Sequence, residues 1–477
     1  MSDNKNLNEF NSGQISNSEG SINLSFVVSL TPCEIERIGP MEFERISVDS
    51  RDIKGKELFV AIKGKNFDGH NFIKSAIERG ASGVISELSF AEISGFLGDL
   101  VFETDFSFVR VPNTLVAMHD IARGFRQRIE KVIGITGSIG KTTTKEILKT
   151  IFKKYHPIST FRNFNNEIGL PLTLFEARKN EKFGMLEMAM RANGEISQLC
   201  SIALPDIGII TRIAESHIGL LGSMENIARA KGEILDFVET AFLNSDCEYS
   251  RKIFGAMLAN KREKPKEVIW FGNGGDLYIK FYEVSINGSK LDISGRFGNF
   301  VLSAPNIFLP QFEPIMASLA VARFLGLTWE EINENLQSYS SVKGRFSIKK
   351  LKEQIVIDDS YNATSTSFLK GLDTIKGLNF GEKRKIFVFG DILEAGEKSL
   401  DLHKMVIKKI EELDPYLTYF VGTEFVKSID YGSKLRFKNM DIDSVKEDLI
   451  KIMDKGDLVY VKGSNSTKTW KVLELWD

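Results

Sequence analysis

The chain has 477 residues, of which 42% are hydrophobic and 26% are charged, a composition typical of a folded globular protein. A single core seldom serves more than about 300 residues, so this length favours more than one domain. The 62 basic and 64 acidic residues leave a net charge of −2, which argues against a nucleic-acid-binding protein. The 3 cysteines are scattered, with no CxxC motif, which favours neither disulfides nor a zinc cluster and indicates a cytoplasmic protein.

The N-terminal segment lacks the features of a targeting sequence. Residues 1–25 are rich in asparagine and serine and contain no apolar core, so we predict a disordered tail there. No apolar stretch of the chain reaches the roughly 18–20 residues that a membrane span needs, so we expect no membrane insertion.

Residues 26–130 are predicted to form a small mixed α/β domain. The segment ISVDSRDIKGKELFVAIKG indicates a strand, a loop and a second strand, and HNFIKSAIERG indicates a helix that ends at Gly80. Further strands are predicted over 82–86 and 108–111, and a helix is predicted over 114–129.

Residues 131–343 alternate between strand and helix patterns, as is typical of a parallel sheet. Near-continuous apolar runs at 183–188 and 207–213 predict strands that are buried on both faces. The later elements are predicted to be a helix, a meander of strands and a second helix, over 224–240, 267–305 and 313–325.

Residues 344–477 alternate in the same way and predict a Rossmann-like domain. Its strands are expected over 355–358, 386–389, 417–421 and 458–461. The fold class predicted for the whole chain is therefore α/β in three domains, with a small mixed N-terminal domain, a central parallel-sheet domain and a Rossmann-like C-terminal domain.

The segment KVIGITGSIGKTTTKE at 131–146 predicts a strand, a phosphate-binding loop and the start of a helix, which makes the central domain ATPase-like. Glycines let backbone N–H groups approach phosphate oxygens, lysine supplies positive charge, and a threonine hydroxyl can ligate Mg²⁺. The strict motif has glycine where Ile135 stands, so this loop is a variant. No NKxD-type tetrapeptide follows, which argues against a GTPase. We predict that ATP is bound by Gly137, Ser138, Gly140, Lys141, Thr142 and Thr143.

Polar side chains at the ends of neighbouring strands are candidate metal ligands. Thr142, Glu187 and His217 each close or follow a predicted strand, and the carboxyl ends of parallel strands share one edge of a sheet. A hydroxyl, a carboxylate and an imidazole there could share a divalent cation. The residues alone favour simpler interpretations, namely a capping or ion-pairing Glu187, a surface His217 and a solvated helix lysine at Lys231.

Other polar positions also have two interpretations. Asn165 and Asn166 precede an apolar run and suit either a helix cap or a substrate contact. Arg345 lies at the junction of the last two domains and suits either an ion pair or a phosphate contact on domain closure. The segment IDDSYNA places four more polar side chains at the carboxyl end of a strand, where ligands bind, namely Asp358, Asp359, Tyr361 and Asn362.

These segments together resemble the Mur ligase family, the ATP-dependent amide-forming enzymes of peptidoglycan precursor synthesis. The segments that follow in the family's order, from about Ser47 to Ser464, are GITGSIGKTTTKE, NFNNEIGLPLTL, LEMAMRANGEI, ESHIGLLGSMENIARAKGEIL, IDDSYNA, VFGDILEAGEKSLDLH and VYVKGS. The resemblance implies an Mg²⁺ site of Thr142, Glu187 and His217, with Lys231 carbamylated as a further ligand. It implies ATP contacts at Arg345, Asp358, Tyr361 and Asn362, and catalytic roles for Lys141, Lys231, His217, Asn166 and Arg345.

Within the family, the chain is most similar to the member that joins D-alanyl-D-alanine to UDP-N-acetylmuramoyl-tripeptide through an acyl phosphate. The segment VDSRDIKGKELFVAIKGKNFDGHNF is similar to the domain that holds the UDP-sugar. The expected partners are therefore small-molecule substrates, and we expect a monomer. The implied substrate contacts are Ser50, Arg51, Lys63, Asp68, Gly69, His70, Asn165 and Asn166.

Four segments depart from the family pattern. They are EMA at 187–189 instead of EMG, FEPIMA at 312–317 instead of HNxxNA, YNATS at 361–365 instead of YNANP, and KGSN at 462–465 instead of KGSR. These departures leave open a relative with another amino-acid or folate-like acceptor, or a nucleotide-binding protein without ligase activity. The UDP-type N-terminal segment argues against the folate branch, and the retained phosphate and metal residues favour an active enzyme.

Overall fold

The computed structural model describes residues 21–64, 67–215, 221–260, 263, 265–378, 380, 383–393 and 396–476. The chain forms two compact units. The first unit contains the chain up to Val132 together with Pro157–Met188 and Gln198–Pro205. The second contains Ile133–His156, Ala189–Ser197 and the chain from Asp206 onward.

Short strands and helices precede the phosphate loop. The strands are β1 (Ile22–Asn23), β2 (Glu34–Arg37), β3 (Glu42–Phe43), β4 (Arg45–Ser47), β5 (Glu57–Val60), β6 (Gly83–Ser86), β7 (Ser107–Arg110) and β8 (Ile129–Thr136). The helices are α1 (Leu24–Val28), α2 (Ile73–Glu78), α3 (Phe90–Leu97), α4 (Leu100–Glu103) and α5 (Thr114–Arg126). Strands β4 to β7 pair in parallel and β2 joins β7 antiparallel, in the order β2-β7-β6-β5-β4.

The middle of the chain contains most of the parallel pairing. Its strands are β9 (Ile158–Ser159), β10 (Glu181–Glu187), β11 (Ile207–Ile210), β12 (Thr240–Asn244), β13 (Glu267–Phe271), β14 (Leu277–Ser285), β15 (Gly288–Gly295) and β16 (Phe300–Pro305). Its helices are α6 (Lys141–Ile151), α7 (Gly169–Phe175), α8 (Glu195–Ala203), α9 (Met224–Gly232), α10 (Glu248–Ala259), α11 (Phe312–Phe324) and α12 (Trp329–Leu336).

In the second unit the strands of this region lie in the order β8-β11-β12-β13-β14-β15-β16. Pairing is parallel from β8 to β14 and antiparallel through the meander β14-β15-β16. In the first unit β9 and β10 form a parallel pair. The carboxyl end of β8 leads directly into the phosphate loop, which places that loop at the ligand-binding edge of a parallel sheet.

The C-terminal part of the second unit is a second sheet with helices. Its strands are β17 (Ser347–Leu351), β18 (Gln354–Asp359), β19 (Lys385–Gly390), β20 (Leu417–Val421), β21 (Phe437–Asn439) and β22 (Leu458–Lys462). Its helices are α13 (Ser365–Gly377), α14 (Ser399–Leu413), α15 (Glu424–Lys427) and α16 (Ile442–Ile452). The order is β17-β18-β22-β19-β20-β21, with β17 antiparallel, and fully buried aromatic side chains such as Phe387, Phe389 and Tyr460 lie in its core.

The prediction of an α/β fold with parallel-rich sheets is confirmed, and two local predictions are corrected. The expected disordered tail is wrong over 22–25, because Ile22 and Leu24 are buried and β1 pairs with β3, while residues 1–20 lie outside the described residues. The helix expected over 224–240 ends at Gly232 and continues only as a 3₁₀ turn, Glu233–Asp236, before β12 begins. The three-domain division stays a prediction.

Candidate functional site

The phosphate loop has the backbone conformation that its glycines allow. Gly137 and Gly140 have φ angles of 142° and 95°, in the region that L side chains rarely adopt. A Cβ atom at Gly137 would lie 1.9 Å from Thr211 Oγ1, so no other residue fits there without displacement. Helix α6 begins immediately after Gly140, and its first N–H groups have no partners within the helix, which favours an anion at this end.

The end of strand β11 holds the loop in place. Thr211 Oγ1 donates to the carbonyl oxygens of Thr136 at 3.1 Å and Ile139 at 2.6 Å. The backbone N–H groups of Ser138 and Ile139 donate to the carbonyl oxygen of Arg212, at 2.7 and 3.2 Å. The shape of the loop is therefore set by long-range hydrogen bonds as well as by its own glycines.

Two lysines converge on one backbone carbonyl of the loop. Lys141 Nζ and Lys231 Nζ lie 2.9 and 3.0 Å from the oxygen of Gly137. Lys231 is buried on α9, which corrects the interpretation of it as a solvated helix lysine. Burial, and next the positive charge of Lys141, hold the pKa of Lys231 well below its usual range. Two amino groups on one carbonyl form a site that suits phosphate oxygens.

The residues predicted to bind Mg²⁺ are distributed between the two units. Thr142 and Lys231 belong to the second unit, Glu187 belongs to the first, and His217 lies outside the described residues. Glu187 is buried, and its Oε1 atom accepts from Asn165 Nδ2 at 3.1 Å. Within the described part of the chain there is no group of three or more His, Cys, Asp or Glu side chains that could hold a metal ion. The oxygen donors of Thr142 and Glu187 are nevertheless the type that Mg²⁺ prefers.

A cavity in the second unit joins the phosphate loop to the C-terminal sheet. Five of the predicted nucleotide-site residues line this cavity, namely Ser138, Gly140, Thr143, Arg345 and Asn362. Asp359, which the sequence placed at the same strand end as Asn362, also lines the cavity. Further lining residues, which were not predicted as site residues, include Gln311, Thr364, Ser367 and Lys462.

Two further predicted nucleotide contacts, Asp358 and Tyr361, form part of the junction between the central sheet and the C-terminal sheet. Asp358 is buried, and its carboxylate accepts from the N–H of Gly344 at 2.8 Å and from Ser360 Oγ at 2.6 Å. The guanidinium of Arg345 lies over the ring of Tyr361, 3.9 Å from its centroid. This contact orients Arg345, which itself lines the cavity.

The sequence interpretation missed the buried pair of Asp359 and Lys462. The two residues are direct register partners on β18 and β22, and Lys462 Nζ donates to Asp359 Oδ2 at 2.7 Å. Tyr460 also donates to this carboxylate, at 3.2 Å. The available signal was the adjacent acidic pair in IDDSYNA, but only the sheet order reveals that one of its members faces a lysine.

Two predicted substrate residues belong to a turn in the first unit. Ser50 is buried, and Arg51 donates to the carboxylate of Asp49 at 2.7 and 2.9 Å. A cavity beside this turn is lined by residues that the sequence did not single out as ligands, among them Arg45, Ser47, Asp49, Asp52, Phe164 and Glu176. Burial raises the pKa of Glu176 in this cavity, against the opposing charges of Arg45 and Arg178.

The loop from Lys63 to His70 is the second predicted substrate segment. His70 is buried; its Nε2 atom accepts from the N–H of Glu87 at 3.0 Å, so Nδ1 donates to Asp68 at 2.6 Å. A Cβ atom at Gly69 would lie 2.7 Å from backbone atoms of Ile62. Asp68, Gly69 and His70 therefore hold the backbone conformation of this segment through their contacts within the unit.

The two predicted asparagines have different partners. Asn166 Oδ1 accepts from the N–H of Gly169, the first residue of α7, at 2.8 Å, while the N-cap position of that helix is Ile168. Asn165 donates to Glu187, which links it to the carboxylate predicted to bind the metal.

In the part of the chain that the structure describes, none of the helices combines the length and the apolar character that a membrane span requires.

Comparison with known families accounts for most of the chain. The model of the Mur ligase family, catalytic domain, matches residues 42–126. The Mur ligase middle domain matches 135–307, and the Mur ligase, glutamate ligase domain, matches 344–465.

Curated relatives match over most of their length. A Synechocystis sp. protein named UDP-N-acetylmuramoyl-tripeptide–D-alanyl-D-alanine ligase is 34% identical over 78% of each chain. A Bacillus subtilis protein of the same name is 29% identical over 90% of this chain and 92% of its own.

Solved structures agree with this assignment. MurF from Acinetobacter baumannii superimposes with a TM-score of 0.83 at 25% identity, over 96% of this chain and 98% of its own. MurF ligase from Thermotoga maritima in complex with ADP superimposes with a TM-score of 0.77 at 29% identity, over 91% and 96%. The chain belongs to the Mur ligase family of ATP-dependent ligases.

Proposed function

We propose that this protein joins D-alanyl-D-alanine to UDP-N-acetylmuramoyl-tripeptide at the expense of ATP. The observation that carries the proposal is the convergence of Lys141 and Lys231 on the carbonyl of Gly137, at the start of a helix and beside a cavity. The substrates are taken from the names of the curated relatives. A monomeric, cytoplasmic enzyme is part of the same proposal.

The chemistry is activation of an acid followed by attack of an amine. The terminal carboxylate of the tripeptide attacks the γ-phosphorus of ATP, and the bond to ADP breaks to give an acyl phosphate. The amino group of the dipeptide then attacks the acyl carbon, loses a proton and expels inorganic phosphate. Both reactants of the first step are anions, so positive charge from Lys141 and alignment by the loop supply most of the rate.

Within this proposal the nucleotide occupies the cavity of the second unit. Gly137, Ser138, Gly140, Lys141 and Thr143 face the phosphates, and Arg345 and Asn362 approach from the C-terminal sheet. Mg²⁺, when bound, offsets the negative charge of the triphosphate, and its proposed ligands are Thr142, Glu187 and His217. The UDP-sugar is assigned to the first unit, near Ser50, Arg51, Lys63, Asp68, Gly69 and His70, with Asn165 and Asn166 toward the acyl end.

Lys231 is proposed to be carbamylated. Its lowered pKa favours the neutral amine, whose nitrogen can attack CO₂ and lose a proton to give an anionic carbamate. The conversion replaces a buried cation with an anion, which can ligate a metal ion. Lys231→Ala and Lys231→Arg should therefore both lower ligation by about 10²-fold, since neither can form a carbamate.

The carbamate has a direct spectroscopic test. Protein equilibrated with ¹³C-bicarbonate should show a carbamate carbon resonance that is absent from Lys231→Arg. Full ligase activity in Lys231→Arg, or the same resonance in that variant, would contradict the assignment. Arg229→Lys, on the same helix, is a control for nonspecific surface carbamylation.

The ligase reaction is tested with purified protein, ATP, Mg²⁺ and UDP-N-acetylmuramoyl-tripeptide, containing either lysine or diaminopimelate, with and without D-alanyl-D-alanine. We expect phosphate release and a product whose mass corresponds to the pentapeptide, both dependent on the dipeptide. Phosphate release that requires a different amine would favour another acceptor. ADP binding without turnover on any acceptor would favour a nucleotide-binding relative that has lost ligation.

A further inference from the structure

Glu313, in the segment FEPIMA that departs from the family pattern, is the centre of a buried ion cluster. Its carboxylate accepts from Arg212 through two hydrogen bonds, Nε to Oε2 at 2.7 Å and Nη2 to Oε1 at 2.5 Å. Asn244 Nδ2 donates to Oε2 at 3.0 Å, and Lys370 Nζ donates to Oε1. The side chain of Glu313 is only 11% exposed, against 19% for Arg212 and 30% for Lys370.

The cluster is more than a surface ion pair. Burial opposes ionisation of Glu313, but the hydrogen bond from Arg212 and the charges of Lys370 and Arg212 prevail and lower its pKa to about 2. The bidentate geometry of the arginine fixes the orientation of the carboxylate as well as its charge. Removal of any one charged partner therefore changes a shared network and not an isolated contact.

One side of the cluster leads to the phosphate loop. The backbone carbonyl of Arg212 is the acceptor for the N–H groups of Ser138 and Ile139. Helix α11, which carries Glu313, also lies against the loop, because a Cβ atom at Gly140 would be 3.1 Å from Pro314 Cγ. The position of the loop is thus coupled to the residues that hold Glu313.

The other side of the cluster leads to the opposite wall of the cavity. Lys370 lies on α13, and the start of that helix, with Thr364 and Ser367, lines the same cavity as the phosphate loop. A second hydrogen bond joins α13 to the segment that follows β11, since Ser365 Oγ donates to the carboxylate of Glu215. The ion cluster therefore connects the two walls between which we place the nucleotide.

We propose that the Arg212–Glu313–Lys370 cluster positions the phosphate loop against helix α13, so that Glu313 and Lys370 are positioning residues for nucleotide binding and phosphoryl transfer. The catalytic half of this inference rests on the proposed function, and the nucleotide-binding half does not. When the cluster is intact, both walls of the cavity are held together. When the bond to Lys370 is lost, a smaller fraction of the protein has the binding-competent arrangement, and the apparent affinity falls by that fraction.

The test uses Lys370→Met, which removes the link to α13 but leaves the buried pair of Arg212 and Glu313 in place. Lys370→Arg restores a cation at the same position. Lys376→Met is the matched control, because Lys376 lies on the same helix and pairs with Glu412 on the surface, with 55% of its side chain exposed. The measurements on each full-length variant are the ADP dissociation constant by calorimetry, kcat and KM for ATP, and the thermal midpoint.

We expect Lys370→Met to raise the ADP dissociation constant by about fivefold or more and to lower kcat/KM for ATP by at least as much. Lys370→Arg should recover most of both losses, and Lys376→Met should match the wild type. A purely structural role would lower the thermal midpoint of Lys370→Met and leave its ADP affinity at the value of Lys376→Met, which would overturn the proposal. A wild-type protein that binds ADP but does not ligate would refute the proposed function while the ADP comparison still decides the role of the cluster.

Discussion

Two lysines of the second unit are buried to the same extent, Lys231 at 2% and Lys462 at 1% exposure, but their surroundings differ. Lys462 lies 2.7 Å from the carboxylate of Asp359. Lys231 donates to the carbonyl of Gly137 and has another cation, Lys141, beside it, and among the described residues no carboxylate forms an ion pair with it.

Burial has a different consequence at each site. It lowers the pKa of Lys462 and raises that of Asp359, but the two charges compensate each other within the protein. At Lys231 burial and the neighbouring cation both act against the charged form. A buried cation without a counter-charge is costly, so its presence indicates a site that an anion or a modification completes, whereas the paired lysine is complete as it stands.

The largest effect expected where Lys141 and Lys231 meet is on catalysis. Lys141→Met should lower kcat/KM for ATP by about 10³-fold, because a positive charge that faces the transferred phosphate is lost. Lys149→Met is the control, since Lys149 is an exposed lysine on the same helix. The measurement is steady-state kinetics. A kcat/KM for ATP of Lys141→Met within tenfold of the value for Lys149→Met would show that Lys141 does not act on the transferred phosphate.

The paired site should respond mainly in stability. Lys462→Met leaves the carboxylate of Asp359 buried without its cation, and we expect the free energy of unfolding to fall by about 3–5 kcal/mol. Denaturant unfolding measures this loss. The double variant Lys462→Met, Asp359→Leu should recover most of it, because removal of both charges leaves neither one uncompensated. Equal stability of the single and double variants would mean that the pair is not coupled.

The unpaired site should respond in the opposite direction. Lys231→Met removes a buried amine, so in CO₂-free buffer we expect the free energy of unfolding to rise by about 1–2 kcal/mol. As with the other Lys231 variants, ligation should fall by about 10²-fold. The folded-state pKa of Lys231 lies below the unfolded value of 10.5, so between the two values the unfolded chain binds more protons. The stability of the wild type therefore rises with pH in that window.

The pH dependence sharpens this third prediction. The advantage of Lys231→Met over the wild type should shrink as the pH rises toward 10.5, and thermal unfolding at several pH values measures it. A pH-independent difference, or destabilisation by the substitution at all pH values, would show that Lys231 is a structural residue like Lys462.

The features that depend on neighbours along the chain could be predicted from the order of the amino acids alone. The alternation of apolar strands and helices predicted the α/β class, and the spacing of Gly137, Gly140 and Lys141 predicted the phosphate loop, because backbone conformation and the start of a helix depend on local residues. The meander β14-β15-β16 and the helix that became α11 were predicted for the same reason.

Which side chains are buried together became evident only from the folded chain. Lys231 and Gly137 are 94 residues apart, and Lys462 and Asp359 are 103 apart, so no local pattern distinguishes the uncompensated lysine from the paired one. The order β18-β22-β19 places Asp359 directly opposite Lys462. Glu313 is likewise the centre of an ion cluster because the fold brings α11 close to Arg212, after β11, and to Lys370, on α13. Burial and charge pairing depend on the order of strands and the packing of helices, and these are properties of the whole fold.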